Sequence, residues 1–153
     1  CGGGSNPSLA TNLIMKKINN IFDVRWNEPL GLEECPYAFR YMIVLFGYSL
    51  RLHVWKSSDD QRAYHDHPYS FITVILKGGY TDITPDGDEH VSRFNVRFRQ
   101  AEHRHKVKVD EGGCTSLIFG ARARRKFGFY VPGREKLLRP LRYFSRYGHH
   151  TCE

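Results

Sequence analysis

The sequence predicts an all-β domain, a sandwich or a barrel, on three observations. About eight short strand-like runs follow one another at near-regular spacing. No convincing long amphipathic helix separates them. Aromatic residues are 14% of the 153 and glycines number 14, a composition suited to short strands joined by tight turns.

Residues 15–36 are mixed, with turn formers at Asn27, Pro29 and Gly31, and strands are expected only after them. Tyr41 to Phe46 is an apolar run closed by Gly47. Ser49 to Trp55 alternates, with Leu50, Leu52 and Val54 on one face and Arg51, His53 and Trp55 on the other, the period of a half-buried strand. Residues 56–64 form a polar loop. Phe71 to Leu76 is apolar or small on both faces, as in a strand covered on both sides. Gly78-Gly79 marks a turn or a bulge, Tyr80 to Thr84 is the next strand, and Pro85-Asp86-Gly87-Asp88 turns the chain. Phe94, Val96 and Phe98 then alternate with arginines and an asparagine. His105, Val107 and Val109 alternate with Lys106, Lys108 and Asp110, and the two valines are read as inward-facing. Asp110 to Gly113 reads as a further turn. Ser116–Phe119 and Lys126–Val131 complete the set. Residues 134–147 suit a short C-terminal helix that Pro140 interrupts.

The length suits one domain. The expected division is a linker over residues 1–14, a barrel domain over 15–133 and a basic C-terminal segment over 134–153, which the core site does not need. The formal charge is +7. Its clusters, Arg122/Arg124/Arg125/Lys126 and Arg134 to Arg146, are either a solvated surface or a nucleic-acid contact without a known reading motif. Four cysteines without a Cys-x-x-Cys pair make no disulfide framework, and a reducing cytoplasm is the simplest setting. No apolar stretch is long enough for a membrane span.

His65-Asp66-His67-Pro68 is the most informative tetrapeptide. Two histidines at i and i+2 on an extended chain point to one side and can converge on one ion. A third histidine follows about forty residues on. His103 and His105 share parity. His105 runs directly into Val107 and Val109 and is the better ligand, leaving His103 as a rim residue or spare ligand. Asp66 points away from the histidines by parity and suits hydrogen bonds to loop amides or to a neighbouring imidazole. Glu102 is either a general base, an orienting group or a surface carboxylate among basic residues. His53 either lines the pocket or is an exposed strand residue, and with Glu102 it is the candidate for catalysis. His149, His150 and Cys152 have ligand chemistry but no ordered context.

HDHPYSFITVILKGGY, followed by RFRQAEHRHKVKV and TSLIFGARARRKFGFYVPG, resembles a small bacterial and phage group of cupins, over about residues 41–132. The resemblance implies a double-stranded β-helix, a jelly roll closed around a pocket. It places His65 and His67 on the histidines of the first cupin motif and His105 on that of the second. Gly78 or Gly79 takes the motif glycine, and Phe71 or Ile72 falls where the usual metal-binding glutamate stands. A three-histidine site for a divalent ion (Fe, Zn, Ni or Mn) is therefore implied, without the carboxylate ligand. Two functions follow. One is a metal-dependent enzyme, oxygenase-like or isomerase-like, acting on a small polar molecule. The other is a non-catalytic module binding a small ligand, a protein partner or nucleic acid. A homodimer is compatible with either.

Overall fold

The computed structural model describes residues 21–32, 34–59, 61–131, 133 and 138–147. The linker expected over 1–14, Arg134, Lys136 and the His149/His150/Cys152 tail lie outside them. Strands β1 (Phe22–Leu32), β2 (Cys35–Leu45), β3 (Tyr48–Trp55), β5 (Phe71–Thr84), β6 (Gly87–Val91), β7 (Val96–Arg99) and β8 (Lys106–Gly120) form one antiparallel sheet, ordered β1-β2-β3-β8-β5-β6 with β7 also on β5. Strands β4 (Tyr64–His65) and β9 (Phe129–Tyr130) make a second, two-stranded sheet. The helix α1 (Pro140–Tyr147) follows.

Strand formation begins earlier than the sequence suggests. Asn27, Pro29 and Gly31 do not break β1, because register shifts between Arg25 and Glu28 and between Leu30 and Gly31 absorb them. Asn27 takes a left-handed φ of 51° in the first bulge. Phe46 and Gly47 (φ 49° and 83°) make the two-residue turn between β2 and β3.

The turn expected at Asp110–Gly113 is instead the middle of β8. Between the pairs Gly78↔Cys114 and Tyr80↔Val109, β5 advances two residues while β8 advances five. Gly112 and Gly113, at φ 93° and 84°, take up the excess as a bulge. Gly78 faces it at φ 66°, where an added Cβ would lie 2.0 Å from the Gly113 carbonyl oxygen. The paired bulges bend two long strands together and curl the sheet.

The alternation in β3 and β7 is present with its polar members inward. Ser49 and His53 are buried and Leu50 is 41% exposed. On β7, Val96 and Phe98 face out at 56% and 61% while Arg97 and Arg99 are half-buried. One apolar row, Val24↔Ile43↔Leu50↔Phe119↔Ile72↔Phe98, crosses six strands on the outer face, every member at least 41% exposed. Inside, Ile75, Tyr80, Val91, Val107 and Cys114 pack as one core, with Trp55 and Val109 against it.

The C-terminal segment is less detachable than expected. Pro140 opens α1 instead of interrupting it, as fits a residue with no N–H to donate. Tyr143 is 1% exposed and stacks on Phe129, ring centroids 4.1 Å apart, in a second core with Ala63 and Leu138. Phe129 pairs through its backbone with His65. Tyr143→Ala should therefore lower the urea midpoint by an amount equivalent to about 3–5 kcal/mol. Deleting residues 140–153 should disturb the histidine loop, not leave it intact.

Candidate metal centre

Backbone hydrogen bonds bring the two histidine segments together. His65 and His105 exchange both N–H···O bonds, each 2.9 Å, and the His67 N–H donates to the Ala101 carbonyl at 2.9 Å. Asp66, fully buried between the histidines, accepts from the Gly128 N–H (2.9 Å), the Tyr130 hydroxyl (2.8 Å) and the Arg125 guanidinium (2.5 Å). It fastens the loop to the chain before β9, in the loop-amide role expected of it.

His65, His67 and His105 each offer a ring nitrogen, all within 4.8 Å of one another. His67 Nε2 and His105 Nε2 are 2.8 Å apart. Metal–imidazole bonds of ~2.0–2.1 Å place donor nitrogens roughly 3.3 Å apart, so small adjustments fit these three residues to one dication. Burial, followed by repulsion from His105 and His65, holds the His67 imidazole well below its usual range. Burial also lowers His105, against the opposing pull of Asp82. Both imidazoles are thus kept neutral, the form a ligand needs.

Asp82 is the residue that sequence reasoning missed. Its carboxylate accepts from His105 Nδ1 at 2.5 Å and from His103 Nε2 at 2.9 Å, and it pairs with Arg99 at 2.7 Å. A carboxylate only accepts, so the proton of His105 sits on Nδ1 and the Nε2 lone pair faces His67. That is how a carboxylate fixes the tautomer of a metal-binding histidine. Asp82, His103 and His105 also cluster as metal-ligand types. There, however, both imidazoles already spend a ring nitrogen on the same carboxylate, and the better fit is the three-histidine set.

The structure brings His65, His67 and His105 together and leaves His103 on the far side of His105. Glu102 belongs to neither cluster. It is exposed, and Arg124 holds it at 2.6 Å. Hydrogen bonding from Arg124 lowers its pKa. Glu102 and His103 line an open depression of about 440 Å³ with Phe98, Arg99 and Gln100. Phe71 is buried with its ring 4.6 Å from that of His67, apolar surface where the resemblance implied a carboxylate.

His53 lies on the inner face of β3, 9% exposed. Burial pushes its pKa down to about 3, with the positive charges of Arg40 and Arg51 adding to the effect. Below pH ~6.5 the unfolded chain takes up a proton that the folded chain refuses, so stability should be lost as pH falls toward 3. Urea titrations should show about 3 kcal/mol of loss from this residue between pH 7 and pH 4. His53→Asn should remove most of it.

No family model matches the sequence, and no curated protein matches it by sequence. Solved structures match by shape. DMSP lyase DddQ from Ruegeria pomeroyi DSS-3 aligns at TM-score 0.54 and 12% identity, over 86% of this chain and 73% of that one. Fe(II) HppE aligns at 0.52 and 8%, over 65% of this chain and 56% of that one. AerE from Microcystis aeruginosa aligns at 0.50 and 16%, over 69% and 49%. The fold is a cupin fold. The chain spans about half the length of HppE and of AerE, and at these identities the likeness is one of fold. In this fold two histidines from one segment meet a third, His105, from the residue that leads into β8.

Proposed function

We propose that this cupin is a metal-dependent enzyme in which His65, His67 and His105 hold one divalent ion, Fe, Zn, Ni or Mn, and that it acts on a small polar molecule in an oxygenase-like or isomerase-like reaction. The observation that carries the reading is the convergence of three ring nitrogens with His105 oriented by the buried Asp82. A dication on three neutral imidazoles keeps its full charge and can polarise a substrate oxygen or acidify a water. HppE is described with Fe(II) and DddQ as a lyase. Those are properties of those proteins, and they support including iron among the ions to test. Elemental analysis of protein purified without a tag or a nickel column should find close to one such ion per chain. Failure to bind any of the four at micromolar concentration would overturn the reading and favour a non-catalytic ligand-binding module.

A homodimer is a second element of the proposal, supported by the exposed apolar row. With neighbouring Phe46, Tyr48 and Val96 the row offers on the order of 1,000 Å² of apolar surface, against the ~800 Å² per partner of a stable interface. Light scattering should report a dimer that Leu50→Lys with Phe119→Lys converts to a monomer. A wild-type monomer would refute it.

Nucleic-acid contact through the basic surface is the weaker reading. Arg122 donates to the Phe46 carbonyl and lies over Tyr48, Arg124 pairs with Glu102, and Arg125 pairs with Asp66. Among the described residues no helix is long and apolar enough to cross a membrane. The cytoplasmic setting has the free, buried thiol of Cys114 in its favour and the disulfide at Cys35 against it.

A further inference from the structure

We propose that Arg51 and His53, on the inner face of β3, form a subsite for the oxyanion of the substrate, a carboxylate or a phosphate, beside the three-histidine cluster. This names the substrate class and rests on the cluster being the reacting centre.

The two side chains stand at i and i+2 on one strand and so project to one side. Arg51 Nε and both ring nitrogens of His53 are buried without a hydrogen-bond partner. Buried polar groups are almost always paired, and an unpaired buried guanidinium is the most expensive kind to leave alone. Neighbouring charges do not resolve it. Arg25 is held by Asp23 and Glu28, and Arg40, which opposes His53 across the β2–β3 ladder, is held by Glu28. No carboxylate of the described residues pairs with Arg51. Its charged group lies 4.4 Å over the Tyr69 ring, an attraction that leaves its N–H donors directed elsewhere.

The place of the pair gives the missing anion a role. The Arg51 guanidinium lies over the Tyr69 ring, and that ring is 6.4 Å from the ring of His67, which places Arg51 one aromatic ring away from the cluster. A guanidinium grips an oxyanion through two parallel N–H bonds. Neutral His53 adds one N–H donor for the anion and one acceptor nitrogen for a substrate hydroxyl. Burial lowers the Arg51 guanidinium to about 10, still charged at neutral pH, and keeps His53 uncharged.

The test uses the full chain, chelator-treated and metal-loaded, titrated with inorganic phosphate and with acetate by calorimetry and by NMR of the histidine rings. Saturable binding of at least one anion is expected in both forms, with the His53 ring resonances shifting along the isotherm. Arg51→Gln should weaken binding at least tenfold, and Arg122→Gln, on the surface, should leave it unchanged. Absence of saturable binding, or binding that Arg51→Gln leaves intact, overturns the subsite. Should Arg51→Gln fail to fold, the wild-type spectra decide, since saturation without a shift at His53 overturns it equally. Phosphate binding by a protein that, after chelation, takes up none of the four ions again would leave the anion site standing while the metal-centred function falls.

Discussion

His67→Ala should lower the affinity of this protein for a dication by at least ~100-fold, with His65→Ala and His105→Ala close behind and His103→Ala far milder. Each of the first three removes one of the three convergent nitrogens, and Phe71 fills the place where the resemblance implied a carboxylate. Two imidazoles hold a dication weakly. His103 is directed at Asp82, so its loss acts through an orienting carboxylate, for which a loss at the low end of ~10–100-fold is expected. Isothermal titration with Zn²⁺ or Ni²⁺ separates the two classes, and equal losses for His103→Ala and His67→Ala would place the ion on the Asp82 side. Phe71→Glu should act in the opposite direction and strengthen binding. The pH dependence follows from burial. Free imidazole would release its metal around pH ~6.5, but burial and mutual repulsion depress the pKa of His67 and burial that of His105. Protons compete less well for depressed imidazoles, so occupancy should persist to more acid pH than the sequence alone implies.

What the sequence disclosed, and what it withheld, have separate physical origins. Strand identity and the pairing of His65 with His67 are local, carried by alternation and by an i, i+2 spacing that survives even though only His65 lies in a strand. Which face of a strand looks inward is not local. In β3 and β7 the apolar members face out, the reverse of the usual assignment, because the interior of this barrel has polar work to do and the outer face remains apolar. A sequence read for its apolar stripe therefore finds the strand and inverts it. The glycine turn at Asp110–Gly113 misleads for a related reason. Glycine at positive φ serves a bulge as well as a turn, and only the partner strand decides between them.

Asp82 shows the same limit and is the point at which the second large effect is expected. Phe71, Thr73 and Ile75 face inward, and strict alternation would continue through odd numbers and turn Asp82 to solvent. The register shifts between Ile75 and Lys77 and between Gly78 and Tyr80 reverse the parity, so that Tyr80 and Asp82 are buried instead. A carboxylate delivered to the interior in this way must be compensated. Burial alone would raise its pKa, yet hydrogen bonds from His103 and His105 drive it far below the usual carboxylate range. Asp82→Ala should destabilise the fold by about 3–5 kcal/mol, because it leaves the half-buried Arg99 with the half-exposed Glu89 and strips His105 of its partner. Asp82→Asn keeps the volume and one acceptor oxygen. It should unfold much closer to wild type in urea and yet bind a dication ~10–100-fold more weakly, since the amide no longer holds the His105 proton on Nδ1. The two variants thus separate the stabilising role of the charge from its orienting role. If Asp82→Asn bound metal as tightly as wild type, with ¹⁵N spectra still showing His105 protonated on Nδ1, the orientation of the third ligand would have to come from packing against His65 and His67 instead.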